Sequence, residues 1–78
     1  MKRIHIVTYV SFVLKKNEVV GAFGDLQTAI NAAKKRYFSA CKEHGVELGT
    51  TSLQTYPIVD ENKKTIALVE VNHATLVE

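Results

Sequence analysis

Residues 24–45 read GDLQTAINAAKKRYFSACKEHG, and the rest of the chain arranges itself around them. Asp25 is a good N-cap, because its carboxylate can accept the N–H groups that the first turn of a helix leaves unpaired. Gly45 stands where a chain usually leaves a helix through a left-handed residue. At about 100° per residue, Leu26, Ala29, Ile30, Ala33, Tyr37, Ala40, Cys41 and His44 fall on one stripe. The spacing predicts a single helix from Leu26 to about His44, with enough alanine on the stripe to sit close on a sheet.

The flanks supply that sheet. Arg3 to Leu14 is rich in β-branched and aromatic residues. Ile4, Ile6, Thr8, Val10, Phe12 and Leu14 share one parity, and His5, Val7, Tyr9, Ser11 and Val13 share the other. The even set is the more apolar and is expected to face the core. Lys15 to Glu18 reads as a polar turn and Val19 to Phe23 as the returning strand of a hairpin. Beyond Gly49, Ser52 to Val59 is a third strand, in which Pro57 implies an edge position or a bulge. Asp60 to Lys64 is a turn and Thr65 to Val71 the fourth strand. The order β-β-α-β-β predicts one α+β domain over residues 1–78, a four-stranded antiparallel sheet with one helix packed on one face.

One helix covers one side of a sheet. Val7, Tyr9 and Val13 lie opposite the even set, and the last strand is apolar on both parities, with Ile66 and Leu68 on one and Ala67, Val69 and Val71 on the other. An uncovered apolar face or an exposed edge strand is therefore expected, and with it a homodimer. The competing expectation is that the sheet curls or that Ala74 to Val77 folds over it.

The 78 residues include 10 basic and 8 acidic side chains, a net charge of +2, and the hydrophobic fraction is 46%. These values exclude a disordered tail, a pair of domains and a membrane bundle. The apolar-leaning run from Ile4 to Leu14 is too short to cross a bilayer. It leads into Lys15, Lys16, Asn17 and Glu18 rather than into a small-residue cleavage site, so it is expected to be a strand and not a secretion signal. With one thiol, Cys41, the expected compartment is the cytoplasm.

Chemistry-bearing clusters are sparse. The histidines His5, His44 and His73 are scattered. Cys41 and His44, three apart on the helix, supply half of a zinc site with no second pair to complete it, so a buried thiol and a helix-end histidine are expected. Gly21 to Gly24 precedes a helix N-terminus, but it lacks the longer glycine pattern of a phosphate loop, and Asp25 would repel the phosphate. Ser11, Ser39, Ser52 and Cys41 lie in no nucleophile motif. The chain is expected not to be an enzyme and to need no metal and no cofactor.

Charge is the stronger signal. Met1 to Lys42 holds 8 basic and 2 acidic residues, while Glu43 to Glu78 holds 2 basic and 6 acidic. On the helix, Asn31, Lys34, Lys35, Phe38 and Lys42 fall in one outer sector, with lysines three and four residues from an outward aromatic. This sector is the candidate partner-binding surface, with Phe38 as its anchor. An alternative acidic surface consists of Glu43, Glu47, Asp60, Glu61 and Glu70, suited to the basic groove of a nucleic-acid enzyme. The solvated helix face is an equal reading of the same residues. A sequence pI near 8.8 and the acidic second half favour a protein partner over nucleic acid.

Ile4-His5-Ile6-Val7-Thr8, then Val19-Val20-Gly21-Ala22-Phe23-Gly24-Asp25-Leu26 and Ala29, resembles a pattern of short bacteriophage and prophage proteins. There a strand ending in Val-Thr precedes a Val-Gly-x-Phe-Ser hairpin arm and an alanine-rich helix. The likeness covers the first half of the chain, and Gly24 stands where such proteins often carry serine. The resemblance implies a stoichiometric anti-defence inhibitor that occludes a host protein, such as a nucleic-acid-processing defence complex of the CRISPR type. A nucleic-acid-binding accessory protein and a homo-oligomeric structural module remain the alternatives.

Overall fold

A computed structural model describes residues 2–76 of the chain. β1 (Lys2–Ser11) and β2 (Lys16–Phe23) form one hairpin, and β3 (Thr55–Val59) and β4 (Thr65–Leu76) form another. Between them runs α1 (Leu26–His44). The sheet order is β2-β1-β4-β3 with every neighbouring pair antiparallel, so the two hairpins meet along β1 and β4. This is the expected α+β architecture, and its principal extents are 45 × 22 × 16 Å.

The helix boundaries follow from local chemistry. Asp25 accepts the N–H of Thr28 at 2.9 Å and also its hydroxyl at 2.9 Å. At the other end Gly45 adopts φ 66°, and its N–H and that of Val46 close onto the carbonyls of Lys42 and Cys41. Ala29, Ile30, Ala33, Tyr37, Ala40 and Cys41 are buried, as the stripe predicts, whereas Leu26 is exposed and His44 half-buried at the stripe's ends.

The parity expectation for β1 is overturned. His5, Val7, Tyr9 and Ser11 face the helix and are buried; Ile4, Ile6, Thr8 and Val10 lie half-buried on the open side. Hydropathy favoured the even set, but the polar atoms on the odd side all find partners. His5 meets His73, and Tyr9 and Ser11 both meet His44. A paired polar tip carries little penalty on burial, so aromatic bulk decides the face.

The expected extent of β1 is also corrected. The strand stops at Ser11, and Phe12, Val13 and Leu14 form the turn with Lys15 instead of continuing it. Ser11 Oγ accepts the N–H of Leu14 at 3.1 Å, and Phe12 N–H goes to the carbonyl of Ile66, which bends the chain before Lys15 takes φ 54°. Phe12 and Leu14 are therefore exposed, not core. β2 begins at Lys16 rather than Val19, and a bulge opposite Val7 and Thr8 leaves Val20 unpaired. At Gly21 a Cβ would come within 2.8 Å of the Phe23 ring, so a larger residue there would require that ring to shift.

β3 starts at Thr55 rather than Ser52. It is an edge strand, the first of the two alternatives the proline offered; Pro57 itself pairs with Leu68, and the register shifts one residue further on, between Ile58 and Val59. β4 runs past Val71 to Leu76, because Asn72 to Leu76 pair with Lys2 to Ile6. Ala74 to Leu76 thus extend the sheet and do not fold over it; Val77 lies outside the described residues.

Candidate docking surfaces

The predicted helix sector is assembled as one exposed face. Asn31, Lys34, Lys35, Phe38 and Lys42 all lie in solvent, Asn31 receiving a hydrogen bond from Gln27 at 3.1 Å. Among the described residues no ion pair engages Lys34, Lys35 or Lys42. Phe38 is 48% exposed, its ring tilted against Tyr37 with centroids 5.9 Å apart, so one edge is seated and the rest is free.

Arg36, on the same helix, behaves oppositely. Its Nε lies 2.8 Å from Glu18 and its Nη2 3.6 Å from Glu43, while the guanidinium stacks 4.0 Å over the buried Tyr9 ring. Lys16 joins the group at 2.9 Å from Glu43. The hydrogen bond from Lys16 holds the Glu43 carboxyl below its ordinary range and raises the Lys16 ammonium above its own. Four charges thus neutralise one another on the β2 flank, while Lys34, Lys35 and Lys42 on the outer face have no ion-pair partner among the described residues.

The acidic alternative is not one surface. Glu43 is consumed by Lys16 and Arg36. Glu47, Asp60 and Glu61 line an open cleft of about 630 Å³ with His44, Val46, Val59 and Ile66, and the Asp60 carboxylate accepts the N–H groups of Asn62 and Lys64. Glu70 sits on the open side of the sheet between Thr8 and Thr55. Its row, together with Asn72 beside Ile6, breaks the open face into apolar strips: Val10, Leu68 and Pro57 on one side, Ile4 and Ile6 on the other.

Two histidine arrangements appear that spacing along the chain did not signal. His44 Nε2 lies 3.0 Å from the Tyr9 hydroxyl and 3.3 Å from Ser11 Oγ. Ser11 is 1% exposed, and its oxygen is already engaged by Leu14, so this group fastens the helix end to β1 and offers no accessible nucleophile. At the opposite end His5 and His73 are cross-strand partners with their Nδ1 atoms 2.7 Å apart, and Gln54 Nε2 lies 2.8 Å from Nε2 of His73. Cys41 is buried with its thiol pushed up by desolvation, and among the described residues no three His, Cys, Asp or Glu side chains gather as a ready metal cage.

The apolar triplet Phe12-Val13-Leu14 is the surface feature that sequence reading missed. All three are exposed at the tip of the first hairpin, which is tied to the last helical turn by the Ser11–His44 and Lys16–Glu43 contacts. That turn also carries Lys42. Three consecutive exposed apolar residues are uncommon on a surface that meets only water. The signal was present in Lys15 and Lys16, which follow the triplet and mark the turn's far side.

Among the described residues no helix is long and apolar enough to cross a membrane. Comparisons of the chain with family models, curated proteins and solved structures return no match.

Proposed function

We propose that this chain is a small non-enzymatic binding protein that docks on a larger host protein and inhibits it by occlusion, as the likeness to phage anti-defence proteins implies. The observation that carries the reading is the contrast within α1: Arg36 is paired with Glu18 and Glu43, while Lys34, Lys35 and Lys42 surround a half-exposed Phe38 and have no ion-pair partner among the described residues. Keeping a seated aromatic among free cations suits an acidic partner surface with an apolar recess, where an aromatic anchor contributes most of the binding energy. The tip residues Phe12, Val13 and Leu14 form a second exposed apolar patch, tied to the last helical turn through Ser11–His44 and Lys16–Glu43.

The test is capture of partners by the tagged protein from bacterial lysate, with and without nuclease, beside Lys34→Glu/Lys35→Glu and Phe38→Ala. We expect one large protein retained at near-equal stoichiometry in both halves. Phe38→Ala should weaken its affinity by about 2 kcal/mol or more, roughly 30-fold, as for an interface anchor. The charge-reversed pair should lose most of the signal. Recovery that disappears with nuclease would transfer the reading to nucleic acid. A partner retained equally by all variants would remove the helix face from the account.

A further inference from the structure

We propose that His5 and His73 form a binding site for a single late first-row divalent metal ion of tetragonal preference, Ni2+ or Cu2+, held through both Nδ1 atoms. The residues are 68 apart in sequence but directly opposed on β1 and β4, with imidazoles edge to face at 85° and Nδ1 atoms 2.7 Å apart. Two nitrogens at about 2.0 Å from one ion would be about 2.8 Å apart at the 90° angle of square-planar or octahedral coordination, but about 3.3 Å apart at a tetrahedral angle. The observed 2.7 Å is the length of the hydrogen bond that joins the two rings in the ion-free protein. It lies close to the first geometry and about half an ångström short of the second, so exchanging the shared proton for an ion needs less ring movement in the first. Imidazole nitrogen is also the donor type these ions favour.

The surroundings suit ligation. His5 is 7% exposed and fixed under the sheet end, whereas His73 is open to solvent, so one ligand is rigid and the other gives access. Both Nδ1 lone pairs must face the ion, which puts the ring protons on Nε2. Gln54 already sits 2.8 Å from Nε2 of His73, and rotating its amide presents a carbonyl oxygen to that proton. This is the outer hydrogen bond that orients metal-bound histidines. Gln54 is itself held, since its backbone carbonyl accepts the N–H of Val71 at 2.8 Å. Without the ion the same atoms form a chain in which Gln54 donates to His73 and His73 donates to His5. The protein supplies two ligands, and water fills the remaining positions.

The experiment is titration of the full-length protein with Ni2+ at pH 7.5, followed by calorimetry and by paramagnetic broadening of amide NMR signals. One ion per chain is expected, with broadening centred on His5, His73 and Gln54. His73→Gln, a change at an exposed position, should abolish saturable uptake while leaving the fold intact by circular dichroism. Gln54→Ala should weaken uptake by about tenfold or more. Cys41→Ala should leave it unchanged, which separates this site from the Cys41–His44 pair. No saturable uptake by the wild type, broadening centred elsewhere, or a His73→Gln protein that binds as well as its parent would each overturn the proposal. None of these outcomes bears on Phe38 or the lysine face, so this inference and the docking reading fail independently.

Discussion

The two faces of β1 carry opposite chemistry to what hydropathy suggests. The side under the helix holds His5, Tyr9 and Ser11 beside Val7, while the open side holds Ile4, Ile6 and Val10 beside Thr8. The buried side is the more polar of the two by composition, and among the described residues it leaves no buried side-chain nitrogen or oxygen without a partner. The lesson is that a face is buried when its bulk fits the covering element and its polar tips can be matched. Three aromatics, Tyr9, Tyr37 and Tyr56, fill the space that the alanines of α1 leave, and the Tyr37 and Tyr56 rings lie 6.0 Å apart.

The comparison breaks first at Tyr9. Tyr9→Ala removes a fully buried ring, the platform for Arg36 and a partner of His44. A loss of about 3–5 kcal/mol is expected, enough to unfold much of a domain this small at room temperature. Denaturant unfolding followed by circular dichroism measures it. Next comes His44→Ala, which takes from the buried Tyr9 hydroxyl its ring partner and from Ser11 one of its two. It should cost about 1–3 kcal/mol, and adding Tyr9→Phe to it should recover part of the loss, because an absent polar group needs no partner. A double variant as unstable as the sum of its parts would mean that packing, not pairing, places these residues inside. On the open face Ile6→Thr should change stability by about 1 kcal/mol or less. If Ile6→Thr proved as damaging as Tyr9→Ala, the open face would have to be covered in solution, and the expected homodimer would become the first explanation to examine.

Much of this architecture could be read from residues close in sequence. The Asp25 cap, the Gly45 exit, the alanine stripe and the edge position of Pro57 each depend on neighbours within a few residues, where the controlling sterics and hydrogen bonds are local. The outer sector of Lys34, Lys35, Phe38 and Lys42 was legible for the same reason, since helical spacing alone fixes it. What escaped depends on pairs far apart in the chain. The contacts of His5 with His73 and of Tyr9 with His44 span 68 and 35 residues, and they become visible only once β1 is known to lie between β2 and β4. The parity of β1 and the engagement of Arg36 by Glu18 and Glu43 turn on such pairs. The early end of β1 had a local cause, the Ser11 hydroxyl capturing Leu14 N–H, but nothing distinguishes that serine in the sequence from one in mid-strand.

The smallest effect concerns pH, and it separates the edges of the molecule from its core. The Asp25 carboxyl is held below its ordinary range, first by the backbone N–H of Thr28 and then by its hydroxyl; the Lys16 hydrogen bond does the same for Glu43. Groups depressed in the folded state add stability above their ordinary range and lose it as pH falls toward the folded value. Both are surface groups, so the acid limb should be shallow, and the Glu43 part of it should shrink with added salt. In the core the signs reverse. Burial pushes Tyr37, Tyr56 and Cys41 up, so the unfolded chain ionises first as pH rises past the ordinary thiol and phenol ranges, and stability falls from there. Stability should therefore fall at the acid and alkaline ends for different reasons. Asp25→Asn keeps a capping side chain but removes its charge, so it should reduce the acid limb and leave the alkaline limb as it is. Cys41→Ala should do the reverse, reducing only the alkaline limb. Melting temperatures from pH 3 to 11 on the three proteins would decide it, and an acid limb unchanged by Asp25→Asn would show that the cap's charge plays no part.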